Sequence, residues 1–416
     1  MVEESSKQNK IDENLDELGY CRLFLSDDIL DLFAEETSSL CKKKLLDTYG
    51  GDYKDTVLAS YGKGNSLPYL FCSKGISKED ILAFIGIKVY MDLHPLADIK
   101  GYWNHGTKFI NIGTVMSKNY FFLISKYFHF PDKDGSPGQE NKKYESYLKV
   151  GPKNQINAYF TKLCKNFQKY YELGENINID EFIQHFIGSK KPNNITKQNK
   201  ERYKIHLLSD YNTNYVYNLF FDQGKNATDH QAAAKSTSLI ENVVFRLLSC
   251  LNDKKKRNLF LDESYSSPNI MKKLAENVNF NTTVLNSKTK PKLADDLSMN
   301  EETESKNGNS DNSKNSKIFK NKGIEAFDYD FEIANSDRSM RRWYAKVIIN
   351  GMDSCMINAK ILYESKAGTK SNLPEFKEKI CKQIFKMYRE FEKKNNPNSE
   401  KNDVESKGPE KKKVKK

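Results

Sequence analysis

Two short runs, Ile177-Asn178-Ile179-Asp180-Glu181 and Asn258-Leu259-Phe260-Leu261-Asp262, decide the fold expected for this chain. Each run is apolar enough to form a buried strand, yet each carries an aspartate, inside the first run and at the end of the second. A charge flanked by buried apolar residues needs a partner or an ion. The carboxyl ends of strands in α/β sheets commonly present ligand-binding groups. Asp180 and Asp262 are therefore candidate functional residues; the alternative for an aspartate at a strand end is a cap, a turn former or an ordinary surface charge.

The segments around these runs predict the element order βββαβαβ. In chain order, the predicted elements are strands Ile177–Phe186, Tyr203–Ser209 and Tyr215–Asp222, a helix from about His230 to Leu251, a strand Leu259–Leu261, a helix Pro268–Asn277 and a strand around Thr282–Leu285. The first strands, joined by polar turns, predict an antiparallel meander. This is the order of a ribonuclease H-like core, a mixed five-stranded sheet with flanking helices, in which the first and fourth strands are neighbours.

Helical periodicity dominates the sequence before and after this core. Ser77–Met91 predicts a helix, with Ser77 and Asp80 spaced almost as in a capping box, and Met116–Tyr127 predicts another. Two further helices are predicted at Arg338–Tyr363 and Leu373–Lys393. A helical N-terminal domain and a helical C-terminal segment should therefore flank the sheet.

Composition and charge indicate which binding partners and which cellular compartment to expect. The formal net charge of +11 over 416 residues suits a polyanionic partner. The longest apolar runs, such as Ile81–Met91, fall short of the roughly 20 residues that span a bilayer, so a soluble, intracellular protein without a membrane partner is expected. The cysteines, seven in all, stand singly with no Cys-x-x-Cys pair, which predicts reduced thiols and neither a disulfide framework nor a zinc site.

Further charged residues are candidates for the same site. Glu325 and Asp328 lie three residues apart and would share one helical face, so either can supply a third carboxylate. The turn between the first two strands is basic and either follows a DNA backbone or is a solubilising hairpin loop; its cations are Lys190, Lys191, Lys197, Lys200 and Arg202. The lysines from Lys411 to Lys416 would add salt-sensitive affinity for phosphates or act as a nuclear address.

The motifs around these residues resemble those of the piggyBac transposases over most of Ile76–Tyr363. They are, in order, Ala83-Phe84-Ile85-Gly86, Asp98 with Gly101-Tyr102-Trp103, Ile179-Asp180-Glu181, Leu261-Asp262-Glu263-Ser264-Tyr265-Ser266-Ser267, Arg338 with Arg342-Trp343, and Asn358-Ala359-Lys360-Ile361-Leu362-Tyr363. Their order along the chain is the specific part of the resemblance.

The resemblance implies a metal-dependent enzyme that cleaves DNA and transfers strands. Asp180, Asp262 and Glu325 would be the metal-binding triad, with Asp328 in support, and they would hold two Mg²⁺ or Mn²⁺ ions about 3.5–4 Å apart. Carboxylate oxygens are the ligands these hard cations prefer. DNA is the implied partner, contacted by Arg341 and Arg342 among others; a homodimer and a nuclear location are also expected.

The expected domains follow from composition and resemblance together. They are a disordered tail at 1–15, a helical domain of a DNA-binding or dimerisation kind at 16–170, the first part of the core at 171–294, a low-complexity remnant of an insertion at 295–317, the helical end of the core with the C-terminal helices at 318–394, and a basic disordered tail at 395–416.

The sequence also departs from the family pattern. Glu263 replaces an asparagine, Lys322-Gly323 replaces a Gly-Gly pair, the segment 295–317 replaces a structured insertion, and no Cys/His zinc module is seen at the C-terminus. An alternative hypothesis is therefore a domesticated or decayed derivative that binds DNA without catalysis.

Other conspicuous side chains have structural interpretations. Trp103 and Trp343 are expected to anchor the core rather than stack on bases, because each lies in an apolar helical context. His185 and His206 are expected to be hydrogen-bonded strand residues rather than metal ligands.

Overall fold

The computed structural model describes residues 11–12, 14–61, 66–96, 98–104, 110–130, 152–186, 201–221, 239–251, 253, 255–277, 279–285 and 343–395. These residues form two compact units. The sheet unit contains the described parts of Gly151–Ile333 and Asp353–Ile361, and the helical unit contains the described parts of Asn14–Val150, Ala334–Met352 and Leu362–Lys416.

The sheet unit is built on a mixed five-stranded sheet with the order β3-β2-β1-β4-β5. Its strands are β1 (Asn176–Phe186), β2 (Glu201–Asp210), β3 (Val216–Phe221), β4 (Arg257–Asp262) and β5 (Phe280–Leu285). β1, β2 and β3 pair antiparallel, whereas β4 runs parallel to both β1 and β5. The predicted meander and the predicted neighbourhood of the first and fourth strands are both confirmed, as is the ribonuclease H-like fold class.

The apolar side chains of alternate strand residues cover one face of this sheet. Residues of a strand alternate between faces, so Ile177 and Ile179 of β1 point the same way as their register partners Leu259 and Leu261 of β4. All are buried in one cluster with residues from two further helices, whose bounds are given below. The opposite face carries Asn178, Asp180 and Asp262 beside the buried apolar residues Leu207 and Phe260, so it is a mixed polar and apolar face.

Several helices accompany the strands of the sheet unit. In the described chain they are α7 (Pro152–Tyr170), α8 (Leu239–Leu248), α9 (Pro268–Glu276) and the portion Asp353–Ile361 of α10 (Trp343–Ala367). α9 begins where the sequence predicts, because Ser267 caps it and Pro268 occupies its first position. Helices α8 and α9 shield the apolar face of the sheet from water. The residues that pack in the apolar cluster are Val243, Val244 and Leu247 of α8 and Ile270 of α9.

Side chains from α7 and α10 cover the outer edge of β3. The side-chain amide of Asn358 accepts a hydrogen bond from Val216 N (2.8 Å) and donates one to Val216 O (2.8 Å). The Cys164 thiol accepts one from Leu219 N (3.1 Å), and Asn157 Oδ1 accepts one from Phe221 N (3.3 Å). An exposed strand edge would present unpaired backbone groups to other chains, so these contacts close the sheet on this side.

The helical unit is assembled from short and long helices around α5. Its helices are α1 (Glu17–Phe24), α2 (Asp27–Tyr49), α3 (Tyr53–Tyr61), α4 (Leu67–Lys74), α5 (Lys78–Leu93), α6 (Lys118–Tyr127) and α11 (Leu373–Asn395). Every residue of α5 from Asp80 to Met91 is buried, so this helix forms the centre of the unit. The sequence predicts α5 well: Ser77 and Asp80 form a full capping box.

A buried ionic network joins four helices of this unit. The Lys74 ammonium lies 3.0 Å from Asp80 Oδ1 and 2.8 Å from Glu392 Oε1, and above the ring of Tyr120 at 4.2 Å. The Tyr388 hydroxyl donates to Asp80 Oδ1 at 2.6 Å. Asp80 is 1% exposed, and a carboxylate buried this deeply is tolerated because cations and hydroxyls compensate for its lost hydration.

Most differences between predicted and observed elements lie at their ends. The predicted helix at Met116 begins instead at Lys118, because the Ser117 side chain accepts from Tyr120 N and caps it. The helices predicted from His230 and from Arg338 begin, within the described chain, at Leu239 and Trp343. Trp103 anchors the core as expected: its Nε1 donates to Met116 O at 2.9 Å, and its ring lies 5.2 Å from that of Phe121.

Candidate active site

Asp180 and Asp262 lie on adjacent strands on the same face of the sheet. The parallel register of β1 and β4 pairs Asn178 with Phe260 and Ile179 with Leu261. Each aspartate follows directly after this last register pair, so alternation turns both side chains away from the apolar cluster. Both residues are partly buried. The sheet therefore brings the two predicted carboxylates together.

Local hydrogen bonds orient both carboxylates. Asp180 Oδ1 accepts from Glu181 N at 2.8 Å. Asp262 Oδ1 accepts from Ser264 N at 3.0 Å and thereby caps the 3₁₀ helix Glu263–Tyr265, which turns the chain away from the sheet. Each side chain is held by the backbone that follows it, and this fixes its rotamer in advance of any ligand.

On the same face, polar side chains that precede the aspartates in β1 and β4 form hydrogen bonds between neighbouring strands. The amide of Asn258 donates to Asn176 Oδ1 at 2.9 Å, and the amide of Asn281 donates to Asn258 Oδ1 at 3.3 Å, which links β1, β4 and β5. On β2, the Ser209 hydroxyl donates to Asn178 Oδ1 at 2.7 Å. These hydrogen bonds satisfy polar side chains on a face that also carries buried apolar residues. The bond between Asn258 and Asn176 also supports the register of β1 and β4 on the N-terminal side of Asp180 and Asp262.

A buried tyrosine–histidine pair fixes the loop that carries Asp262. Tyr265 Oη and His206 Nδ1 lie 2.5 Å apart, and both residues are buried. Because His206 belongs to β2, this bond ties the 3₁₀ helix after β4 to a strand across β1. The expectation that His206 is a hydrogen-bonded strand residue is confirmed. The sequence did not reveal its partner, since no spacing rule relates residues so far apart in the chain.

Glu181, next to Asp180, has a partner of its own. The Lys204 ammonium on β2 lies 2.8 Å from Glu181 Oε2 and 3.1 Å from Oε1. Lys204 is 43% exposed at its side chain, so water screens this ion pair and its contribution to stability is small. Its effect is to neutralise the carboxylate beside Asp180.

The sheet unit contains two pairs of stacked aromatic rings. Tyr211 stacks on Phe260 with ring centroids 4.4 Å apart, and burial raises the pKa of the Tyr211 hydroxyl. Tyr171 stacks on Tyr215 at 3.9 Å, and burial raises the pKa of Tyr171 to about 12. These phenols stay protonated at neutral pH, so they contribute hydrogen-bonding groups and apolar surface but no charge.

Several predicted site residues lie outside the described residues. These are Glu325, Asp328, Lys190, Lys191, Lys197, Lys200, Arg341 and Arg342. Arg202 lies in β2 opposite His185, but the side chains of both are outside the described part. The low-complexity segment 295–317 and the lysines at 411–416 are also outside it, as is the side chain of Trp343.

The described residues supply two of the ligands expected for a metal site. Within the described ranges, no group of three or more His, Cys, Asp and Glu side chains is arranged to hold a metal ion. Asp180 and Asp262 nevertheless form a donor set of carboxylate oxygens, which suits Mg²⁺ or Mn²⁺ and not a soft metal. Five of the cysteines are buried separately from one another, at positions 21, 41, 164, 355 and 381, as expected of core thiols.

A five-stranded mixed sheet with aspartates on its first and fourth strands defines a protein of the ribonuclease H-like class. The family described as Transposase IS4, a DDE-type family, matches residues 16–324, and the chain belongs to this family. The chain is also similar to a cryo-EM structure of a piggyBac transposase synaptic complex with hairpin DNA. The two are 14% identical, the match covers 97% of this chain and 88% of that one, and the TM-score is 0.66.

The resemblance to piggyBac transposases noted in the sequence is thereby confirmed. A comparison with curated proteins gave no match. Among the described residues, no helix is both long enough and apolar enough to cross a membrane.

Proposed function

We propose that this chain is a piggyBac-like transposase that cleaves DNA and transfers strands, with its catalytic centre at Asp180 and Asp262. One observation supports the proposal: the parallel register of β1 and β4 ends at the pair Ile179–Leu261, and the aspartates that follow belong to neighbouring strands and to the same face of the sheet. A cluster of oxygen ligands on neighbouring strands is the arrangement that phosphodiester chemistry with divalent cations requires. The family and the fold both favour this assignment.

Two Mg²⁺ or Mn²⁺ ions are the proposed cofactors, held by Asp180, Asp262 and Glu325, with Asp328 in support. When bound, such ions lower the pKa of an attacking water and stabilise the leaving oxygen. Glutamate offers the same oxygens as aspartate on a longer stem, so Glu325 fits the third position chemically. The bonds from Glu181 N and Ser264 N preorganise Asp180 and Asp262 for this role.

DNA is the proposed partner, and several features support it. The similar piggyBac structure is a complex with hairpin DNA, and the chain carries a net charge of +11. We assign backbone contacts to Lys190, Lys191, Lys197, Lys200 and Arg202 between the first two strands, and to Arg341 and Arg342 before α10. The helical segment 16–170 is proposed to serve DNA binding or dimerisation, and the protein to act in the nucleus as a homodimer.

Cleavage of labelled DNA tests the enzymatic part of this proposal. The full chain is incubated with nicked and hairpin duplexes in Mg²⁺ or Mn²⁺, beside Asp180→Asn and, as a matched control, Asp55→Asn, which alters an exposed aspartate of α3. We expect metal-dependent products from the wild type and Asp55→Asn, and a loss of at least about 100-fold with Asp180→Asn, since removing a group that stabilises the transition state typically costs this much. Equal activity of both variants would refute the assignment.

A DNA-binding derivative without catalysis is the second candidate. It is favoured by Glu263, which adds an exposed charge next to Asp262 where the family has an asparagine, and by the low-complexity composition of 295–317. Under this hypothesis the chain binds duplex DNA in a salt-dependent way but yields no products in any metal. Cleavage by the wild type that Asp180→Asn abolishes would exclude it.

A further inference from the structure

The exposed side of α11 carries a continuous basic stripe. Its members, spaced alternately three and four residues apart, are Lys379, Lys382, Lys386, Arg389 and Lys393, and all are exposed. At about 100° per residue these positions fall within an arc of about 80° on the helix, and at 1.5 Å per residue they extend over about 21 Å. We call this surface the α11 stripe.

The opposite side of α11 fixes the direction in which the stripe points. Phe376, Ile380, Ile384 and Phe385 are buried, as is Tyr388. The α11 stripe therefore faces solvent on a helix whose rotation is set by a packed core. Two acidic residues, Glu375 and Glu390, are also exposed on α11, compared with six exposed cations, which are the five of the stripe and Lys394.

The cations of the stripe differ in how far they are already neutralised. Lys379 lies 3.2 Å from Glu17 and Lys382 lies 2.9 Å from Glu378, which raises the pKa of Lys382 through this hydrogen bond. Arg389 Nε donates to the backbone oxygen of Phe385 at 3.1 Å, a contact that leaves its charge in place. Exposed cations continue along the stripe as far as Lys393, near the C-terminal end of α11.

We propose that the α11 stripe binds the phosphate backbone of duplex DNA, an interaction that rests on DNA being the partner in the proposed function. Its length of about 21 Å corresponds to roughly two-thirds of a turn of B-DNA, which is about 34 Å long. The sequence that follows α11 is itself rich in lysine, with Lys411, Lys412, Lys413, Lys415 and Lys416. Charge complementarity of this kind gives affinity for DNA without sequence specificity.

A salt titration of DNA binding tests the stripe. The full chain is titrated against a 30-base-pair duplex of arbitrary sequence in EDTA, so that cleavage plays no part. The test variant is the triple substitution Lys386→Gln, Arg389→Gln and Lys393→Gln. Each lost phosphate contact removes about 0.9 from the slope of log K against log salt. We therefore expect the slope to shrink by about 2.7 and the affinity at 0.1 M salt to fall on the order of 100-fold.

The matched control removes as many exposed positive charges elsewhere in the same unit. It combines Lys42→Gln and Lys44→Gln on α2 with Lys54→Gln on α3, all exposed. A second test variant, Lys386→Arg with Arg389→Lys and Lys393→Arg, keeps the charges and should keep the wild-type slope. If the glutamine variant proves unstable in a thermal melt, the salt slope measured for this charge-preserving variant still tests the stripe.

The outcomes separate this inference from the proposed function. A glutamine stripe variant that binds like the control, or a wild type that fails to bind duplex DNA even at low salt, would overturn the inference. A wild type that binds DNA through the stripe but yields no cleavage products would contradict the enzymatic function alone. A low affinity of the charge-preserving variant would also count against the stripe, because phosphate contacts depend on charge.

Discussion

At the scale of single residues, some polar residues of the sheet unit support the local structure, whereas others form the candidate site. Asp210 is the clearest supporting case. Its carboxylate accepts from Gly174 N (2.9 Å), Asn212 N (3.0 Å), Thr213 N (3.1 Å) and the Thr213 hydroxyl (3.2 Å). It thereby shapes the turn between β2 and β3, where Asn214 adopts a positive φ of 63°. Asp210 therefore has a structural role.

Substitution of Asp210 by alanine should destabilise the sheet unit without changing its metal preference. The substitution removes the acceptor of three backbone N–H groups and one hydroxyl in a turn whose donors are exposed, and each such hydrogen bond contributes about 0.5–1.5 kcal/mol. We expect the free energy of unfolding in urea to fall by about 3 kcal/mol. Thr213→Val is the comparison variant: it removes one donor to Asp210 together with the hydroxyl's contacts to Tyr171 Oη and Tyr215 N, and it should cost about 1 kcal/mol because these groups are partly exposed. Equal effects of the two variants would contradict this role.

At the scale of elements, the crossing of α5 and α11 explains a glycine in the sequence. Gly86 lies in the buried helix α5, and a Cβ built on it would lie 3.0 Å from Cγ2 and 3.2 Å from Cδ1 of Ile384. Glycine is unfavourable inside a helix by about 1 kcal/mol relative to alanine. Its presence here is accounted for by the close approach of the two helices.

Replacing Gly86 by valine should therefore destabilise the helical unit. The added methyl groups would overlap Ile384, which is 1% exposed and cannot turn away from the contact. Overpacking of this kind costs about 1–3 kcal/mol. The double variant Gly86→Val with Ile384→Ala should regain part of the loss, as measured by chemical denaturation. A double variant less stable than the sum of the single changes would mean that the two residues do not compete for space.

At the scale of the whole molecule, the cysteines report on how completely both units are packed. Burial raises the pKa of Cys21, Cys41 and Cys164 to about 12 and that of Cys250 to about 11. The thiolate is the reactive form, so the buried thiols of Cys21, Cys41 and Cys164 stay protonated and react slowly near neutral pH. Only Cys72 and Cys250 are partly exposed among the seven.

Thiol labelling of the native protein at pH 8 should therefore proceed in two stages. We expect Cys72 and Cys250 to react first and the five buried thiols to react at the rate of local or global unfolding. In urea all seven should react rapidly, and this sample serves as the reference. Rapid labelling of Cys164 or Cys381 in the native state would show that its unit opens more readily than its packing indicates.

The sequence by itself determined the order of the elements and the ribonuclease H-like class, and it singled out Asp180 and Asp262 as candidate site residues. It could do so because strand and helix periodicity are local properties, and because a charged residue in an apolar run stands out. Glu325, Asp328 and the basic residues of the predicted DNA contacts remain predictions from the sequence.

Only the tertiary structure decided which residues distant in the chain lie beside one another. The register of β1 against β4 brings Asp180 beside Asp262, the Tyr265–His206 bond spans the sheet, and Asn358 satisfies the edge of β3. Each of these pairs is far apart in the chain, and their approach is set by the collapse of apolar faces against one another. No local pattern encodes that geometry, because burial of apolar surface has no direction until the elements are packed.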